Sequence, residues 1–154
     1  MSSSRTPVKK RIIARVLDVC QQIKEEGIVR LAVRKQGLFL SESVDPALHV
    51  VTGDESVISE DSHGYNCKFP VAFQFIFKEA RDPYGMGDDF EAAIQGKIEA
   101  DDQLLLEDGT GLCSKITYEG STPVISEEAK PSCLTIVMYQ IEYRRRKARP
   151  DLGY

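Results

Sequence analysis

The chain has no apolar run long enough to cross a bilayer as a helix. Stretches such as Ile136, Val137, Met138 and Tyr139 are a few residues long, against the roughly 20 that such a span requires. Its start is polar and then basic, without the apolar block followed by small residues that marks a secretory signal, so an intracellular product is expected. Cysteines are few and far apart: Cys20, Cys67, Cys113 and Cys133 are separated by 47, 46 and 20 positions. This excludes the close pairs of zinc ribbons and thioredoxin-like motifs, and the four are expected to be reduced thiols. Of the two histidines, His63 lies near Cys67, but a structural zinc needs two further ligands, so neither metal nor cofactor is expected.

The readable catalytic motifs are missing as well. There is no GxxxxGK(S/T) loop, and Gly85-Met86-Gly87 stops one glycine short of a dinucleotide fingerprint. GxSxG and HExxH are both absent. His49 falls inside a strand pattern and reads as a packed or edge residue, because no partner for a nucleophile is visible beside it. The adjacent carboxylates Asp88-Asp89, Asp101-Asp102 and Glu127-Glu128 diverge when carried on a helix and suit capping and solubility better than acid/base work. No catalytic residue is assigned, and the chain is not expected to be an enzyme.

What is present is the material of one globular domain: 154 residues, 42% hydrophobic and 29% charged, a length at which a core needs no metal or disulfide staple. Charge is unevenly placed. Residues 1–35 carry +6, residues 36–130 carry −13 and residues 131–154 carry +3. Basic ends and an acidic middle favour head-to-tail contact between copies.

Residues 1–6 read as a polar tail, 7–147 as the domain and 148–154 as a C-terminal tail. From Pro7, the residues Val8, Ile12, Ile13, Val16, Leu17, Cys20 and Ile23 recur at helical spacing. They predict a helix of about 18 residues capped by Thr6, with Pro7 in its first turn and Gly27 ending it. Residues 28–33 and 38–40 predict a hairpin or an interrupted strand, and 47–51 a short strand. The polar stretch 54–68 predicts a long surface loop that projects to a partner. Residues 69–80 predict the main strand, with Phe69, Val71, Phe73, Phe75 and Phe77 on one face under the helices. A turn over 81–85 precedes a second helix, capped by Asp88 and running to about Asp102. Strands follow over 112–118 and 132–143, with a turn at 120–123 and a short return at Val124 and Ile125. The fold class expected is α+β: one mixed or antiparallel sheet with two main helices packed on it, in a single domain.

The segment FPVAFQFIFKEARDPYGMGDDFEAAIQGKIEADDQLL and the closing CLTIVMYQIEYRRRKARPDLGY, with this order of elements, resemble the tail terminator proteins of long-tailed bacteriophages. The resemblance implies a virion protein without catalytic residues. It would form a ring, expected to be hexameric, on the head-proximal end of the tail tube, stop tube polymerisation and join tail to neck. Its implied partners are other copies, the tail tube protein and the head-neck connector, with DNA passing through the lumen without sequence-specific binding. The expected location is the virion tail, after assembly in the host cytoplasm. Candidate interface residues are Asp82, Tyr84, Met86, Tyr143, Arg144, Arg145, Arg146 and Arg149. Two alternatives stay open: another neck or head-closure component, and a small DNA-binding protein using the basic segment 144–149.

Overall fold

A computed structural model describes residues 6–35, 46–78, 82–101, 104, 111–125 and 133–151. The elements are α1 (Val8–Glu25), β1 (Leu31–Arg34), β2 (Ala47–Thr52), β3 (Ser56–Glu60), β4 (Gly64–Phe77), α2 (Pro83–Ala100), β5 (Lys115–Ile125) and β6 (Cys133–Arg146). They form one α+β domain with a six-stranded mixed sheet in the order β1-β2-β4-β6-β5, and β3 also pairs with β4. Only β1 and β2 run parallel.

The aromatic alternation of β4 organises the interior. Phe69, Val71, Phe73, Phe75 and Phe77 are all buried, and in register beside them stand Val137, Tyr139 and Ile141 of β6. Both helices cover this face. Helix α1 buries Val8, Ile12, Ile13, Val16, Val19, Cys20 and Ile23, and α2 buries Gly87, Phe90, Ile94 and Ile98. Each such large apolar side chain taken out of water contributes about 1.5–3 kcal/mol. Helix α1 ends in the hydrogen-bond pattern of a Schellman motif. Gly27 N–H donates to Lys24 O at 3.0 Å and Ile28 N–H to Ile23 O at 3.3 Å, with Gly27 at φ +83°.

Four expectations are corrected. The stretch 54–68 is not a loop: β3 and the start of β4 form a hairpin there, with Asp61 N–H donating to Gly64 O across its turn. Its outer strand is polar because β3 is exposed along its whole length, which erases the apolar alternation by which strands are recognised, and in the returning stretch 64–68 only Gly64 and Cys67 are buried. The second helix begins at Pro83, with Asp82 rather than Asp88 as its cap. Asp-Pro there is an N-cap followed by a first-turn proline, not a turn between elements. Strand β5 runs through residues 120–123 unbroken. Gly120, at φ +130°, accommodates a register shift after Tyr118, and Pro123 is tolerated because β5 is an edge strand. At the start of α1 it is Pro7, not Thr6, that occupies the N-cap, without a side-chain cap. The proposed strand over 38–40 lies outside the described residues.

Pro70, in the middle of β4, explains the shape of the sheet. Its carbonyl accepts from Gly53 N–H at 2.9 Å, so its nitrogen, on the same side of the strand, also faces the β2/β3 edge. There β2 pairs with residues 71–76 and β3 with 65–68, so the missing N–H falls between the two ladders and leaves neither one short. One edge of β4 thus serves two strands, and β6 pairs along the whole of the other. Beyond the pairing of Lys68 with Glu142 and of Lys115 with Glu142, the sheet continues as three strands only, β3, β4 and β6. These form an arm.

Candidate assembly surface

Two ends of the molecule hold the candidate residues, separated along β4 by the eight positions from Phe69 to Phe77, about 26 Å at strand rise.

At the arm end, the hairpin turn is built by Asp61. Its Oδ1 accepts from the backbone N–H groups of His63 at 2.8 Å and Gly64 at 2.9 Å, and its Oδ2 from Arg144. Those backbone bonds first, and Arg144 after them, hold the carboxyl below its ordinary range. Arg145 lies on the opposite side of β6 from Arg144, with its guanidinium 4.9 Å from the Tyr65 ring centre and 3.8 Å from Glu55. Lys147 pairs with Glu60 at 2.9 Å, which raises its pKa. Arg149 makes two bonds to the Asp151 carboxylate, raising its own pKa and lowering that of Asp151. The basic run expected to meet acids of another copy therefore meets acids of its own chain at Arg144, Arg145, Lys147 and Arg149. Residues 148–151, read as part of a tail, are fastened to the helix layer: Pro150 O accepts from Val8 N–H at 2.8 Å, and Asp151 O accepts from Arg11.

Tyr143 is a correction. It is 1% exposed, packed edge-on to Phe69 with ring centres 5.9 Å apart, and its ring belongs to the core rather than to an exposed patch. Its odd position in β6 puts it on the helix-covered face, in register with Cys67. Around it lies a pocket of about 370 Å³ lined by Pro7, Lys9, Glu55, Tyr143, Arg145 and Pro150. Lys9 donates to Gly53 O at 3.2 Å and stands 5.0 Å from the Phe69 ring centre. The Tyr143 hydroxyl is buried without a hydrogen-bond partner among the described residues. Lys9, Glu55 and Pro150 were not singled out from sequence. Only the fold brings positions 7–9, 55 and 143–150 together.

At the other end, Asp82 caps α2 by accepting from Gly85 N–H at 3.0 Å. Tyr84 is 63% exposed and Met86 37% exposed. Asp88 and Asp89 are exposed beside them, and no lysine or arginine occurs in α2 before Lys97. Asp82, Tyr84 and Met86 thus lie at one acidic and apolar end of the molecule, remote from 143–149, with Tyr84 and Met86 on different sides of α2.

Among the described residues no group of three His, Cys, Asp or Glu side chains is placed to hold a metal, and no helix is long and apolar enough to cross a membrane. No family model and no curated protein matches the chain. Among solved structures, the fold is similar to a chain described as "Virion of native gene transfer agent (GTA) particle", 18% identical, with a TM-score of 0.47, covering 80% of this chain and 91% of that one.

Proposed function

We propose that the protein is a structural component of a virion that assembles into a ring, hexameric by the family resemblance, at the head-proximal end of a phage tail tube. There it ends tube polymerisation and joins the tail to the neck. The observation that carries this reading is the pair of unlike surfaces at opposite ends of one rigid sheet. One bears Lys9, Lys10, Arg11 and the arm, and the other bears Tyr84, Met86, Asp88 and Asp89. Unlike surfaces on opposite ends make a head-to-tail contact, and such a contact closes into a ring when its rotation allows. The partners proposed are the tube protein below and the head-neck connector above, with DNA passing through the lumen. No catalysis is proposed.

The DNA-binding alternative is weaker on the same geometry. A phosphate clamp needs guanidinium groups available in solution, and Arg144 and Arg149 are each engaged at close range by a carboxylate of this chain.

Native mass spectrometry and light scattering of the purified protein test the reading. A closed species at six times the 17.2 kDa chain mass is expected, and particles assembled without the protein should carry tails of irregular length in electron micrographs. A monomer at all concentrations, or normal tails without it, overturns the proposal. A salt-dependent DNA shift by a monomer would favour the alternative.

A further inference from the structure

The pocket at the root of the arm has the composition of a carboxylate site. Lys9 and Arg145 set two cations against the single Glu55 in its lining. Glu55 Oε2 stands 3.8 Å from Arg145 Nη2, the long end of ion-pair range, and a guanidinium has five N–H donors to share. The first turn of α1, whose Pro7 and Lys9 form one wall, contains no acidic residue to offset the positive end of the helix dipole. Independently, Tyr143 lines this space at 1% exposure with a hydroxyl that no other group satisfies among the described residues. A buried O–H left unpaired is costly unless a ligand completes it. Pro7 and Pro150 supply apolar walls, suited to a carboxylate carried on a protein surface with nonpolar neighbours rather than to a bare, fully hydrated anion.

We propose that this pocket receives the Asp88 carboxylate of a second copy of this chain, with that copy's Tyr84 laid against Pro7 and Pro150. The inference rests on the ring reading and names its contact. Tyr84 and Asp88, both exposed and four positions apart, share one side of α2, with no cation in that half of the helix. They lie at the far end of the sheet from the pocket, so one copy cannot fill its own site. The contact is therefore heterologous and repeats from copy to copy.

The test uses the full chain. Tyr143→Phe removes the unpaired hydroxyl, so its melting temperature should stay level or rise, while the concentration needed for assembly rises about tenfold or more, the loss of one hydrogen bond to a charged group. Lys9→Glu and the double change Asp88→Lys with Asp89→Lys should each block assembly in a folded protein, and an equimolar mixture of the two should restore it through the swapped pair. A mixture of Lys9→Cys and Asp88→Cys chains should give an oxidised covalent dimer that neither chain gives alone. Rings unaffected by Lys9→Glu and Tyr143→Phe would overturn the proposed contact while leaving the ring reading intact. Blocked assembly with neither rescue nor cross-link would overturn the pairing, and a wild-type chain that never associates would overturn both.

Discussion

Phe90 of α2 stacks on Phe75 of β4, ring centres 4.2 Å apart and planes within 8° of parallel. Phe77 flanks Phe75 at 5.0 Å. This aromatic group clamps the second helix to the central strand, at the end of the sheet where the exposed Tyr84 and Met86 stand. Core and candidate surface are thus built from one helix, with alternate sides of its first two turns assigned to each.

Phe90→Ala and Phe73→Ala should each destabilise the fold by about 3–5 kcal/mol, the range for truncating a buried aromatic ring. Tyr84→Ala, on the exposed side of the same helix, should stay within about 0.5 kcal/mol. Thermal or urea unfolding of the three variants checks both. Equal losses would mean that Tyr84 is held within the chain after all.

Gly87 is a second point of close approach. A Cβ at this position would lie 2.5 Å from the Thr135 side-chain oxygen of β6, and the contact is helix against sheet, where neither side yields freely. Gly87→Ala is expected to cost about 1–3 kcal/mol as overpacking, despite alanine's better helix propensity. Gly96→Ala has open space around it and should stabilise by about 0.5–1 kcal/mol. Opposite signs in one denaturation series are the expected result.

The periodicities that were legible were those of half-buried elements. Helix α1 and the face of β4 read directly because one side of each meets the core, and a single alternation or a 3.6-residue stripe survives in Val8 to Ile23 and Phe69 to Phe77. The arm was illegible for the converse reason. All five residues of β3 are exposed, so Val57 and Ile58 sit among Ser56, Ser59 and Glu60 with no pattern of burial to impose one. The start of α2 was missed because Pro83, Gly85 and Gly87 resemble a turn. In the structure each has a helical reason, a first-turn proline and two tight approaches to Asp82 and Thr135. The pocket could not be read at all, since its six residues come from three distant parts of the chain and none belongs to a motif.

The buried thiols should be inert. Burial alone pushes Cys20 up to about 12, and burial followed by the neighbouring Glu55 raises Cys67. Thiolate is the reactive form, so at pH 8 neither should react with a disulfide reagent in the folded protein, and both should react promptly in denaturant. Fast labelling of Cys67 under native conditions would show that the arm root opens, because that thiol is on the buried face of the hairpin.

The hairpin's dependence on pH follows from Asp61. Its folded-state pKa lies below the unfolded value of about 3.9. The stability it contributes is therefore complete above that value and is lost as pH falls through the lower, folded one. Acidification below about pH 4 should lower the hydrogen-exchange protection factors of His63, Gly64 and Tyr65, taken against the intrinsic rates at each pH, before it affects α1. Asp61→Asn keeps an acceptor oxygen but loses the charge facing Arg144, so it should remove this acid step while leaving the turn formed. If the wild-type arm shows the same protection factors at pH 3 and pH 6, the carboxylate is not what holds it.

Reversing charge in the basic run should act first within the chain and then between copies. Arg144→Glu faces Asp61, and Arg145→Glu faces Glu55 and loses the Tyr65 ring. Each replaces an attraction by a repulsion on a partly exposed surface, where pairs are worth about 0–1 kcal/mol. The global melting temperature should therefore fall only slightly. Assembly should respond unequally, because Arg145 lines the pocket and Arg144 lies on the other side of the strand. Arg144→Glu leaves the pocket untouched and should assemble normally, whereas Arg145→Glu with Glu55→Lys restores charge balance but swaps the positions of the two signs, and should associate more weakly. Light scattering across a concentration series separates the two variants. If both assemble as the wild type does, the run serves only to brace the arm. If both fail, the whole end of the arm, and not the pocket side alone, meets the neighbouring subunit.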